Sequence, residues 1–400
     1  MSEQIKLNPF RIRENKIFNY RDTPRVIDTE YLKELKIDVK PTMETLQELQ
    51  KGSFVFAEKY KNISLVSKLS CIMKDISLDE PLKNHRYTCK CPIDVLEINP
   101  MIGCNVNCLY CLVSDGDHSA SKILYNNYKK YLRHKLKDEN GIDHCYYFAP
   151  KTEPFQEATL QTGIAHDILR EFIAHFKNNP NSKSYLFVLT KAGKEELYYK
   201  NNGETILDLM GELSDKLIYD TSISMMPPEL YPILEPRAAT IEERLEATII
   251  CQEHKIHAHE AVIQPIIPTY LSEDTIRNLF MKLKNANILK IKPEFLTLTI
   301  QNLAWIGEII RHTDKSMAKE LYELYIAPEN INNFKHKFRI APDREFTRKA
   351  ILNLKKYADE YELIMTICHW VRNELNISDK EVPLTVAIES WDVKPWGCKR

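Results

Sequence analysis

The chain has 400 residues, 44% of them hydrophobic and 28% charged, and 55 basic residues set against 56 acidic ones leave a net charge of −1. That is ordinary globular composition with room for two or three domains, and it supplies no overall field for steering nucleic acid, leaving only a local basic groove for such a role. The start, "MSEQIKLNPFRIRENK", has no signal-peptide character, and no window approaches about 18 uninterrupted apolar residues, so the chain reads as cytoplasmic with no membrane partner.

Taken in order, residues 1–92 carry helical spacing of apolar positions in "TEYLKELKID" and "METLQELQKGSFVFAEKY". They are expected to form a mixed, mainly helical segment compatible with a recognition module. "DVLEINP" then alternates like a strand and runs into "GCNVNCLYC", residues 103–111. A polar helix is expected over Lys122 to Lys137, a strand at "CYYFAP", an amphipathic helix at "TGIAHDILREFIAHFKNN" and a strand at "SYLFVLTK". "ETILDLMGELSDK" reads as a helix and "LIYDTSISMM" as a strand. The helix "IEERLEATIICQEHK" opens on Thr240, with Glu243 placed to complete a capping box. The strand "IHAHEAVIQPIIP", a helix opening on Ser272 and the strand "FLTLTI" follow. His257, His259 and Glu260 read as a polar strand edge rather than a metal site.

Five or six βα units in succession predict an α/β fold: a partial (β/α)6-type parallel barrel over residues 93–304. The additions on either side are mainly helical, over 1–92 and 305–400, the second ending in "ESWDVKPWGCKR". Chemistry then belongs at the C-terminal ends of the strands, and the cysteine loop follows the first of them.

Of ten cysteines, Cys104, Cys108 and Cys111 fall in a Cys-x3-Cys-x2-Cys run with no fourth beside them. The remainder show no disulfide-framework rhythm, which favours a reduced compartment. Neither GxGxxG nor GxxxxGK[ST] occurs, which removes the common phosphate-cradling loops. Thiolates ligate iron–sulfur clusters, and a [4Fe–4S] cube normally takes four. Three leave one iron with an open position, and an open position separates a catalytic metal from a structural one. Buried structural or zinc-binding cysteines are the competing account. Only Cys368 and Cys398 lie near the C-terminus, too few for a second cluster.

This spacing, at the head of a βα array, resembles the signature of the radical S-adenosylmethionine superfamily. The resemblance implies that the open iron binds S-adenosylmethionine and that the reduced cluster cleaves it to a 5'-deoxyadenosyl radical, which abstracts hydrogen from a substrate carbon. It also implies an electron donor such as flavodoxin or ferredoxin. Tyr110 stands where the superfamily places an aromatic near the adenine. "KTEPFQ", "VLTKAG", "TSISMMPPELYPILEPRAATIEERLEA" and "QPIIP" resemble, over roughly residues 93–300, the branch that contains spore photoproduct lyase. On that likeness Lys191 is expected near the ligand's carboxylate and Ser222 on its polar groups. Glu235 and Arg244 are expected at its ribose or carboxylate. Lys151 and Thr152 occupy the place of a Gly-Gly-Glu edge that this sequence lacks.

The departures narrow the reaction. Pro150 falls at about the place of the lyase's hydrogen-donor cysteine, and Leu112 where a second tyrosine follows the third cluster cysteine. A proline has no transferable hydrogen comparable to a thiol's, so lyase-type repair of nucleic-acid lesions is disfavoured and kept as the alternative. Branch members without the donor cysteine include enzymes that modify peptides or natural products, which implies a peptide or small biosynthetic substrate. Cys398 beside Trp396, and Tyr110, are the candidate radical-handling residues. A third reading is a non-catalytic iron–sulfur protein.

Overall fold

The computed structural model describes residues 4–8, 10–11, 70–84, 95–111, 122–138, 143–326 and 340–384. Its centre is a parallel sheet assembled in chain order. Strands β1 (Val95–Ile98), β2 (Cys145–Phe148), β3 (Tyr185–Thr190), β4 (Leu217–Met225), β5 (His257–Ile266), β6 (Lys290–Phe295) and β7 (Ile364–Met365) each pair in parallel with the next. Lys83–Asn84 closes the β1 edge as an eighth, antiparallel strand. Parallel neighbours need crossovers, and helices provide them: α1 (Tyr128–Asp138), α2 (Ile164–Asn178), α3 (Ile206–Glu212), α4 (Ile241–Glu253) and α5 (Glu273–Asn285). Between β6 and β7 lie α6 (Ile300–Thr313), α7 (Lys315–Tyr325) and α8 (Arg344–Glu360). The fold is therefore the α/β class expected, with strand and helix alternating through the centre. No helix among the described residues is long and apolar enough to cross a membrane.

Local chemistry sets several helix starts. Thr240 accepts from the Glu243 amide at 3.2 Å while Glu243 accepts from the Thr240 amide at 2.6 Å, the reciprocal box anticipated for α4. Thr205 and Asp208 repeat it on α3, and the Ser272 hydroxyl caps α5 through the Thr275 amide at 3.2 Å.

The two faces of the sheet differ in kind. Tyr146, Phe148, Leu186, Val188, Tyr219, Ile223, Ala261, Ile263, Ile291 and Met365 are buried against the helices. Successive strand residues point to opposite faces, so the other face carries Glu97, Tyr147, Phe187, Asp220, Ser222, Ser224, Glu260, Gln264, Lys292 and Glu294. It is the concave face. Tyr147 on β2 and Lys292 on β6 feel each other's charge, whereas four strand spacings in a flat sheet would separate them by about 19 Å. The sheet has to curl to bring them together.

Two expected elements shift. The first four residues of the polar helix expected from Lys122 are instead a strand, Lys122–Tyr125, pairing Ser70–Lys74 in parallel and Met101–Ile102 antiparallel. Four residues abutting a helix do not separate period 2 from period 3.6. "FLTLTI" is not the sixth strand: β6 lies just before it, and only Phe295 is shared. Leu298 makes a single bridge to Ile340, and Thr299 caps α6 through the Asn302 amide at 3.1 Å. Pro293 inside β6 masked the strand, since proline normally argues against one. The region after 304 is mainly helical but also supplies β7 to the sheet. Helix α6 runs across residues 304 and 305. The helical spacing read in "TEYLKELKID" and "METLQELQKGSFVFAEKY" falls outside the described residues.

Helices α6 and α7 meet at Gly307, where an added Cβ would come within 2.4 Å of Tyr322 Cζ. Tyr322 is itself buried, so its ring has little room to yield. Gly307→Ala is expected to destabilise the protein by roughly 1–3 kcal/mol from overpacking, despite the ~1 kcal/mol that alanine gains within a helix. Urea unfolding of the two proteins checks the sign.

Candidate functional site

After β1 the chain turns back at Gly103, where φ is +83° and a Cβ would meet Lys122 Cγ at 3.1 Å. Only glycine adopts that conformation without strain. The loop that follows is pinned between its cysteines. The Asn105 amide donates to Gln156 Oε1 at 2.5 Å, and Arg237 Nη1 donates to the Asn105 carbonyl at 3.1 Å. The Leu109 amide donates to the Leu234 carbonyl at 3.0 Å, and the Cys111 amide to the Cys108 carbonyl at 3.0 Å. Leu109 is fully buried among Met226, Leu234 and Ile267. Pinned backbone thus presents three half-buried thiols, none of them in a disulfide, at the C-terminal edge of the strands.

Burial pushes the Cys104 thiol up to about 12, and the neighbouring Cys111 adds to the shift. Burial raises Cys108 well above its ordinary value, followed by the Glu235 charge, with Cys111 and Cys104 contributing. Cys111 therefore lies within electrostatic reach of both other thiols. Among the described residues, no three His, Cys, Asp or Glu side chains stand close enough to hold a single metal ion. Three cysteines on one short loop suit a polynuclear iron–sulfide core, in which each cysteine takes a different iron. The residues present fit such a cluster.

Beside the loop lies a buried charge network. Glu235, fully enclosed, accepts from Lys191 Nζ at 2.8 Å and also from Arg244 Nη2, the Ser224 hydroxyl and the Tyr110 hydroxyl. Burial alone would raise its pKa, but Arg244 and Lys191 hold it below the usual carboxylate range. Arg244, also fully enclosed, spends its other nitrogens on the Ala239 and Ser222 carbonyls, each at 2.8 Å. Lys191 further reaches Ser224 Oγ and the Gln264 carbonyl, both at 3.3 Å, and its Nζ stands 5.7 Å from the Tyr110 ring centre. Ser222 donates to the Gln264 carbonyl at 3.3 Å. Five of the expected residues, Tyr110, Lys191, Ser222, Glu235 and Arg244, are thus brought into one assembly.

Lys151 and Thr152 sit to one side. Lys151 pairs with the buried Glu97 at 2.8 Å. Thr152 donates its amide to the Ala149 carbonyl at 3.0 Å, and its buried hydroxyl has no partner. Cys398, Trp396 and Leu112 lie outside the described residues. Sequence reasoning missed Ser224, Glu153 and Gln156. Ser224 was detectable, being two residues from Ser222 and hence on the same strand face. Glu153 accepts from the Thr190 hydroxyl and from the Lys191 amide at 2.8 Å, and burial raises it to about 7. Gln156 ties this turn to the cysteine loop, a tertiary contact with no sequence signal.

Further down the concave face, Tyr147 and Phe187 pack edge to face at 4.6 Å. Asp220 Oδ1 accepts from the Glu260 amide and Glu260 Oε1 from Thr366 Oγ1, both at 3.1 Å. Lys292 pairs with Glu294 at 3.1 Å. Burial, then the Glu260 charge, raises Asp220 well above its ordinary value, and burial raises Glu260 as well. Burial disfavours the Lys292 charge, but Glu294 and Glu260 outweigh it, so its pKa is raised.

No family model matches the chain, and no curated protein matches it either. Similar solved structures include spore photoproduct lyase complexed with dinucleoside spore photoproduct, at 13% identity and a TM-score of 0.46, covering 86% of this chain and 98% of that one. Streptococcus suis SuiB bound to precursor peptide SuiA is similar at 14% identity and a TM-score of 0.42, covering 84% of this chain and 67% of that one. The functional reading therefore rests on this chain's own residues.

Two outcomes follow from the charge networks. Glu235→Gln leaves Arg244 buried without its counter-charge and is expected to cost roughly 3–5 kcal/mol in urea unfolding; adding Arg244→Met to that variant should recover part of the loss. Because folding raises the Asp220 pKa, its contribution to stability is greatest below its unfolded value near 3.9 and falls as pH rises through the folded value. Asp220→Asn removes that fall, so thermal unfolding should show the variant gaining on the parent as pH rises above about 4.

Proposed function

We propose that this chain is a radical S-adenosylmethionine enzyme in which Cys104, Cys108 and Cys111 hold a [4Fe–4S] cluster. One observation carries the reading: three half-buried thiols stand on a pinned loop at the C-terminal ends of a parallel βα array, beside a buried Lys–Glu–Arg network. Bound together, the cluster and S-adenosylmethionine supply reductive cleavage to a 5'-deoxyadenosyl radical, with the electron coming from a flavodoxin or ferredoxin.

The chain's own residues bind and orient. Lys191, held between Glu235 and the Gln264 carbonyl, offers an ammonium to the ligand's carboxylate. Ser222 offers a hydroxyl beside it. Glu235 and Arg244 are enclosed, so they act by fixing Lys191 and Tyr110 rather than by touching the ligand, and Tyr110 presents its ring toward the adenine. Lys151 and Thr152 border the same edge, where the unmatched Thr152 hydroxyl can take a polar group.

The substrate lies along the concave face. Half-exposed Tyr147 and Phe187 give apolar contact there, while Lys292 and the carboxylates around it can pair with charged ends. This surface suits a peptide or small natural-product substrate carrying both an amine and a carboxylate. Among the described residues this face mixes carboxylates with Lys292 instead of giving the basic lining that a nucleic-acid backbone requires, and Pro150 provides no hydrogen donor for lyase chemistry.

Anaerobic reconstitution should give a brown protein that, once reduced, converts S-adenosylmethionine to 5'-deoxyadenosine. Alanine at any one of Cys104, Cys108 or Cys111 should abolish both iron retention and cleavage. A protein with a full complement of cluster iron and no cleavage under any reductant would sink the proposal.

A further inference from the structure

Asn105 is fully buried, and neither Oδ1 nor Nδ2 of its side chain has a partner. Its backbone is spoken for on both sides, the amide by Gln156 and the carbonyl by Arg237, so the residue cannot turn to satisfy itself. A buried polar group left unmatched costs about 1–3 kcal/mol, and native proteins rarely leave one so. Asn302 is the other buried asparagine with both amide atoms unmatched, but it sits on the first turn of α6. Asn105 is covalently next to Cys104. Two further unmatched oxygens, Asn107 Oδ1 and Thr152 Oγ1, belong to the same loop and to the turn after β2. The cysteine loop itself thus holds unmet polar capacity at both Asn105 and Asn107.

Resting on the proposed cluster, we infer that the Asn105 side-chain amide is a positioning and tuning group that donates an N–H···S hydrogen bond to the cluster, on a sulfide or a cysteine thiolate. The chemistry selects the donor end: cluster sulfurs are electron-rich acceptors, and the loop backbone offers them no amide from this residue, because that N–H is committed to Gln156. A hydrogen bond to sulfur withdraws negative charge. It therefore stabilises the reduced, more negative cluster and raises its reduction potential. Burial strengthens the effect, since no water competes for the same lone pairs.

The test uses the full-length reconstituted protein and reads potential, not turnover. Asn105→Leu keeps the volume and deletes the donor. Iron content and thermal unfolding establish that it is folded and loaded. An anaerobic redox titration followed by electron paramagnetic resonance should then place its potential below the parent's. Asn105→Asp, nearly isosteric, replaces the donor by an acceptor that is charged when ionised and should lower the potential further. It also serves where the leucine variant does not fold. An unchanged potential in either loaded variant overturns the inference, as does a loss confined to S-adenosylmethionine affinity, which would assign the amide to the nucleotide instead. If the parent itself takes up no cluster, the functional proposal fails first and this inference with it.

Discussion

A carboxylate removed from water needs opposite charge and hydrogen-bond donors around it, and Glu235 collects two cations and two hydroxyls from four parts of the chain. Tyr110 comes from the cysteine loop, Lys191 from the end of β3, Ser224 from β4 and Arg244 from α4. Each contact fixes an element that could otherwise move by several ångströms. Removing Glu235 strands the enclosed Arg244 charge in a low-dielectric interior, where the penalty is several kcal/mol. The cysteine loop has little regular structure of its own; this carboxylate, the hydrogen bond the loop donates to Gln156 and the one it accepts from Arg237 set where it stands relative to the strand ends.

The same economy divides the sheet. Its convex face is built from buried aromatic and aliphatic residues and contributes stability in the ordinary way, at about 1.5–3 kcal/mol for each large side chain fully enclosed. Its concave face carries the buried Glu97, Asp220 and Glu260 and the half-buried Lys292 and Glu294. Such residues are poor choices for stability, since folding raises the carboxyl pKa values of Asp220 and Glu260 and so opposes their ionisation. A polar lining kept at that cost to stability is the feature on which the proposed substrate site rests.

Most of the fold was legible in the sequence because period 2 and period 3.6 alternate plainly from "DVLEINP" to "SEDTIRNLFMKLKNAN", and capping residues such as Thr240 and Ser272 mark helix starts. Legibility failed where a local rule had a tertiary exception. Pro293 sits inside a true strand, and Lys122–Tyr125 is a strand too short to show its period. The two-residue β7 draws its existence from pairing with β6 rather than from its own composition. In the site, spacing identified the three cysteines and family likeness pointed to Lys191, Ser222, Glu235 and Arg244. That Glu235 and Arg244 are enclosed partners of each other, and that Asn105 has an unmet amide, are facts of packing between distant segments that no linear pattern contains.

The central claim is that the polypeptide leaves one iron for S-adenosylmethionine to complete. Its most direct test is Mössbauer spectroscopy of the reconstituted, iron-57-labelled protein with and without S-adenosylmethionine. The account predicts one iron site of the cube whose parameters shift on adding the nucleotide while the other three stay constant. Four sites indifferent to the nucleotide, or a fourth ligand supplied by the protein, would contradict it.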